Sequence, residues 1–149
     1  MYRRILVPLE HTGTDATIVD HVRGLARFAG ASVILMHVAD GWAARNIRHL
    51  DLRESEEMKE DRAYLERLAA DFNKDGLKAE ALLATGDPAA EIALAAEREH
   101  CDLIAMATHG HKLIGDVVYG SVANAVRHKT MVPVLLVRSP VDVQKQAAP

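Results

Sequence analysis

Short runs of consecutive apolar residues alternate along this chain with longer stretches in which apolar residues recur every three or four positions. Arg4 to Leu9, Ser32 to Val38, Asp102 to Ala107 and Val132 to Val137 are runs of the first kind. Each is rich in β-formers and bounded by polar residues, glycine or proline, the pattern of strands covered on both faces. Lys78 to Ala84 is a fifth run, more polar, which places it nearer an edge of a sheet. Ile18, Val22, Leu25, Ala26 and Ala29 form the apolar stripe of one amphipathic helix, and Met58, Leu65, Leu68 and Phe72 that of a second, expected over Glu54 to Asn73. Val122 to Arg127 reads as a further helix.

The boundary residues agree with these periods. Thr14 or Asp15 can cap the first helix, Gly30 stops it, and Gly76 ends the second. In "GDPAAEIALAAEREH", Asp87 as N-cap, Pro88 at the first helical position and Glu91 in the first turn mark a helix start. Asp40 to about Arg53 has no clear period. It carries Trp42, Arg45, Arg48 and His49 and is expected as a surface excursion. The charge run "RESEEMKEDR" reads as a solvated helix face.

Strands alternating with helices predict an α/β fold, a doubly wound, five-stranded parallel sheet with helices on both faces. In such sheets the ligand crevice lies outside the carboxyl ends of the strands, where the winding reverses. The loops there follow Leu9, Val38, Thr85 and Met106. One of them is "ATHGHKLIGDVVYGS", Ala107 to Ser121, which runs from the fourth strand to a helix start. Gly120 and Ser121 at that start would offer bare N–H groups and a hydroxyl, and Gly110 would let the backbone turn beneath the same anion. The pattern fits a bound phosphate, and equally a plain turn followed by an N-cap pair. Thr108-His109-Gly110-His111 also matches the T-x-G-H motif of nucleotidyltransferases, but in those enzymes the motif follows the first strand, and here it follows the fourth.

Composition narrows the classes. The chain has 149 residues, enough for one compact domain, and a net charge of −3 with histidine neutral. Neither a basic excess nor a polybasic run points to nucleic acid or a lipid surface. No window reaches the roughly 18 apolar residues of a membrane span, and the opening run is too short for a signal-peptide core, so a cytoplasmic protein is expected. Cys101 is the only cysteine and reads as a small hydrophobe at a strand start, in a reducing compartment. His37, in an apolar strand, reads as a satisfied core histidine. His109 and His111 flank the proposed phosphate loop, where either could donate to a phosphate or face solvent. His11, His21, His49, His100 and His128 are scattered. No Cys/His cluster suggests a metal, and Gly120-Ser121 lacks the G-x-S-x-G elbow of a serine hydrolase, so no catalytic residue is assigned.

Residues 2 to 138 resemble the universal stress proteins of the single-domain A type. "RRILVPLE" resembles the family's first strand, "ILMHV" its second, and "GDPAAEIALAAEREHCDLIAMATHG" its third helix and fourth strand. The family's nucleotide motif is Gly, two residues, Gly, nine residues, Gly, then Ser or Thr. Here it reads Ala107, Thr108-His109, Gly110, His111 to Tyr119, Gly120, Ser121. The resemblance implies the strand order 3-2-1-4-5, frequent dimerisation, and ATP binding in members that keep the glycines. It implies phosphates at Gly110, Gly120 and Ser121, with Val122 and Ala123 nearby, and adenosine against Pro8, Leu9, Glu10, Val38 and Met106. Ala107 stands where the family has its first motif glycine. Glu10 stands where an aspartate is usual and is longer by one methylene, and "HTGTD" after it departs from the common Gly-Ser pattern.

The expected function is therefore that of an ATP-binding stress-response regulatory protein, a nucleotide-dependent switch or binding module over residues 1–138, with AMP or ADP as other ligands and Mg accompanying ATP. Residues 139–149 are expected as a frayed tail. The chain has no Walker motif and no obvious base, so fast phosphoryl transfer is not expected. Two alternatives stand beside this: a dimeric protein-interaction module that works without nucleotide, and a slow ATP-hydrolysing or other adenine-nucleotide enzyme. A protein partner is expected but not named by the sequence. Val132 to Val137, last in the implied order, would be an apolar edge strand open to pairing with a second copy, burying Leu135 or Leu136 in a homodimer.

Overall fold

The computed structural model describes residues 1–40, 47–109 and 121–139, with the backbone alone at 40, 47–55 and 109. The sheet is parallel and five-stranded, with β1 at Arg4–Pro8, β2 at Ser32–Asp40, β3 at Ala79–Gly86, β4 at Leu103–His109 and β5 at Val134–Ser139. Its order is β3-β2-β1-β4-β5, the order the resemblance implied. Four helices are described: α1 at Asp15–Ala29, α2 at Ile47–Lys74, α3 at Pro88–Arg98 and α4 at Ser121–Lys129.

The strands are apolar on consecutive residues because alternate side chains enter two cores. Ile5 and Val7 of β1, Val33 and Leu35 of β2, and Leu103 and Ala105 of β4 pack against Ile18, Val22 and Ala26 of α1 and Leu65 and Phe72 of α2. Leu6, Ile34, Met36, Ile104 and Met106 point the other way, onto Ile92, Ala95 and Ala96 of α3 and Ala123 and Val126 of α4. A strand inside such a sandwich has no face left for polar residues. β3, with a half-buried pattern, lies at one edge as its polarity foretold.

Several boundaries differ from expectation. α2 starts at Ile47, inside the segment expected as an excursion; helical backbone there is set by continuity with the packed half of the helix rather than by a local period. The sequence position of Trp42 lies outside the described residues. β5 runs two residues past Val137, and Ser139, expected in the frayed tail, is fully buried. Parallel pairing to β4 extends that far, with Ser139 opposite His109. Residues 140–149 lie outside the described part. Gly30 caps α1 at φ 69, the left-handed conformation that glycine adopts without a Cβ penalty.

Candidate functional site

The two central strands part company as they run toward their carboxyl ends. β1 pairs with β2 at every position from Arg4 to Pro8, and β4 pairs with β5 from Ile104 to His109. Between β1 and β4 the register holds only Ile5 opposite Leu103 and Leu6 opposite Ile104. β1 and β4 are where the winding reverses, so the chains leaving them turn to opposite faces. Pro8 adds to the parting, since it has no N–H to offer a neighbour.

A cavity of about 370 Å³ occupies this opening. Pro8, Leu9 and Glu10 line it from the end of β1, Val38 and His37 from β2, and Met106 and Ala107 from β4. Pro88 and Ile92 come from the start of α3, and Val122 and Ala123 from the first turn of α4. The walls are mostly apolar, and two helix N-termini converge on the opening, each a region of partial positive charge. The first turn of α3 is capped within the protein: Asp87 accepts from the Ala90 N–H at 3.0 Å. Gly86, just before it, has φ 130, a conformation that L side chains rarely adopt, and a Cβ there would press on Glu91 Oε1 at 3.1 Å. A second cleft, about 490 Å³, lies at the other end of the sheet among Arg3, Arg27, Ser32 and Lys78, away from the parting of β1 and β4.

Of the residues expected to bind, eight line the cavity: Pro8, Leu9, Glu10, Val38, Met106, Ala107, Val122 and Ala123. Ser121 opens α4 but is not among the lining residues. His109 ends β4 and only its backbone is described, while Gly110, His111 and Gly120 lie outside the described residues. Ala107 sits within β4, and among the described non-glycine residues only His11 and His100 have positive φ. The methyl that replaces the motif's first glycine therefore meets no backbone penalty.

Four lining residues were not foreseen: Asp15, His37, Pro88 and Ile92. Asp15 was considered as a helix cap. Thr14 occupies the cap position but makes no side-chain cap bond. The Asp15 carboxylate, 2% exposed, instead collects the preceding backbone. Its Oδ1 accepts from Glu10 N–H at 3.0 Å, and its Oδ2 from His11 N–H at 2.8 Å and Thr12 N–H at 3.3 Å. The Tyr64 hydroxyl donates to the same Oδ2 at 2.7 Å. Burial, followed by the hydrogen bond and charge of Asp15, pushes the Tyr64 phenol pKa well up. His37 is satisfied as a strand histidine, its Nδ1 donating to the Leu9 carbonyl at 2.8 Å.

The charge run read as a solvated face contributes an inward group. Asp61 is 17% exposed, and its Oδ1 accepts from His11 Nδ1 at 2.7 Å while Oδ2 lies 3.6 Å from His37 Nε2. Its neighbours Glu56, Glu57 and Lys59 are exposed as expected. A sequence period could have indicated the exception, because Asp61 precedes Leu65 by four residues and so shares its helix face. Cys101 is buried just before β4, and burial pushes its thiol pKa up to about 11, which makes it an inert part of the second core. Among the described residues no cluster of His, Cys, Asp and Glu could hold a metal ion, and no helix is long and apolar enough to cross a membrane.

This arrangement has known counterparts. Universal stress protein MJ0577 of Methanocaldococcus jannaschii is 28% identical, over 93% of this chain and 96% of the relative. Its solved structure superposes with a TM-score of 0.78 over the same shares. A universal stress protein solved in complex with cAMP matches with a TM-score of 0.67 at 19% identity, over 92% of this chain and 97% of that one. One from Archaeoglobus fulgidus in complex with dAMP matches at 0.63 and 21% identity, over 91% of this chain and 97% of that one. At those identities the likeness concerns the fold. The sequence model of the universal stress protein family matches residues 1–138, and the chain belongs to that family.

Proposed function

We propose that this chain is an ATP-binding stress-response regulatory protein of the cytoplasm, a nucleotide-dependent switch built on one domain over residues 1–138. The observation that carries the reading is the apolar cavity at the parting of β1 and β4, flanked by two helix N-termini. A flat aromatic base suits the walls formed by Leu9, Val38, Met106 and Ala107. Glu10 lines the cavity and would accept from ribose hydroxyls. Phosphates would lie toward the start of α4, a helix N-terminus whose partial positive charge favours an anion, with Gly110, Gly120 and Ser121 closing round them. The family's solved complexes with cAMP and dAMP support an adenine nucleotide as the ligand class; ATP, with Mg, is the specific reading made from the glycine loop, and AMP or ADP are its nearest competitors. No described residue is assigned a catalytic role.

Isothermal titration tests this directly. Micromolar binding of ATP, weaker binding of GTP, and loss of binding in a folded Gly120→Val protein are expected. A folded wild-type sample that gives no heat at millimolar ATP overturns the proposal.

A second reading rests on the edge of the sheet. β5 is terminal in the strand order, and Leu136 is 48% exposed on it. Leu135 instead packs, half-buried, against the first core. Leu136 is thus the residue that a second copy would cover in a homodimer paired through Val132 to Val137, with or without nucleotide.

A further inference from the structure

The loop from Leu9 to Thr14 carries Glu10 to the cavity and would be expected to move. It joins a strand to a helix, and its residue His11 stands at φ 62, a left-handed conformation that is unfavourable for a residue with a Cβ. Two groups from different helices hold it there. One is Asp15 of α1, whose two oxygens gather three successive backbone N–H groups and the Tyr64 hydroxyl of α2. The other is the His11 ring itself. It stacks on Tyr64 with centroids 4.1 Å apart and planes inclined by 15°, and it donates to Asp61, one turn earlier on α2.

Asp15 lines the cavity yet is 2% exposed. Three donors crowd its Oδ2 and one reaches its Oδ1. With almost no surface to offer a ligand, Asp15 acts at the site through the loop it holds. Of the three N–H groups it fixes, the first belongs to Glu10.

We infer that Asp15, locked by Tyr64, is the positioning residue that fixes Glu10 for reading a ribose diol, making the site selective for ribonucleotides over nucleotides that lack the 2′ and 3′ hydroxyls. The inference rests on the proposed nucleotide site. Its physical basis is that a carboxylate on a long side chain discriminates only when its backbone is held. The departure from glycine at position 11 serves the same end, since glycine would remove both the stacked ring and the bond to Asp61.

The test uses the full chain with ATP and 2′,3′-dideoxy-ATP, in wild type and in Asp15→Asn, Tyr64→Phe, Glu10→Gln and the Asp15→Asn/Glu10→Gln double variant. Wild type should bind ATP about 10-fold or more tighter than the dideoxy analogue, the worth of hydrogen bonds to a charged acceptor. Asp15→Asn should bring that ratio to within about threefold of unity while leaving dideoxy-ATP affinity within about twofold, and Tyr64→Phe should do the same to a smaller degree. The double variant should lose no more than the larger single loss, because both changes remove one interaction. Equal weakening toward both ligands, or additive losses, overturns the inference and leaves the nucleotide site standing. Amide hydrogen exchange without nucleotide separates the two claims further. Asp15→Asn and Tyr64→Phe should speed exchange at Glu10, His11 and Thr12 and not in β4; unchanged exchange there overturns the inference whatever binds.

Discussion

Removing the Asp102 carboxylate tests how the closed end of the β1–β4 seam is held. The ladder between these strands has two register pairs, fewer than any other in the sheet, and Asp102 stands just before it. Its Oδ1 accepts from Arg3 N–H at 3.1 Å and from Arg4 N–H at 3.0 Å, and its Oδ2 accepts from Arg3 N–H at 2.9 Å. The Asp102 N–H returns a bond to the Arg4 carbonyl at 3.0 Å. Asp102→Ala keeps that last bond and deletes the other three. The Arg4 bond is partly buried and counts nearly in full, at ~1.5–3 kcal/mol for a charged acceptor. The two to Arg3 share one exposed N–H that water can serve, and add ~0.5–1 kcal/mol. The expected loss is therefore ~2–4 kcal/mol, against ~1–2 kcal/mol for Asp102→Asn, whose amide oxygen can keep the Oδ1 bonds without the charge. In urea the alanine variant should unfold about 1–2 M earlier with an unchanged slope. A loss below ~0.5 kcal/mol, within the range of an ordinary surface substitution, would show that the short ladder holds unaided.

Replacing Leu136 by Asp should give a folded monomer by sedimentation at tens of micromolar, where wild type is expected to sediment as a dimer. Covering the exposed half of Leu136 contributes ~0.7–1.5 kcal/mol per protomer, whereas burying an unpaired carboxylate costs several kcal/mol; a wild-type monomer refutes the edge pairing. Stability should also fall as the solution becomes alkaline. Burial, opposed by Arg4 and reinforced by Glu99 and Asp102, raises the Cys101 thiol from 9.0 to about 11. The protonated form is favoured in the fold, so its contribution is full below pH ~9 and is lost as pH climbs through ~11, by an amount on the order of a few kcal/mol. Denaturation between pH 8 and pH 11 should show a shallower decline in Cys101→Ala, and equal declines would exclude the thiol as the cause.

The strand and helix periods, the helix stop at Gly30, the helix start at Asp87 and the edge place of the polar run at Lys78 were all legible in the amino-acid sequence. Each follows from which residues neighbour one another in the chain or share a helix face. Parallel order and the family assignment followed from those runs together with the Val-Pro, His-Val and glycine-loop motifs. Eight cavity residues could be named through the family resemblance, and they meet because they sit at strand ends and helix starts, positions that the topology brings together. What the sequence could not convey was which polar groups meet across the fold. Asp15 looked like a helix cap, and Asp61 lay in a run of charges. His11 was one scattered histidine among several, and Tyr64 carried no signal. Their contacts span 49 and 50 residues and depend on α2 lying against the loop after β1. Such pairing arises only when the cores on the two sheet faces have set the helices in place. The extent of β5, the early start of α2 and the choice of Leu136 over Leu135 as the exposed edge residue were decided in the same way, by packing and register rather than by local preference.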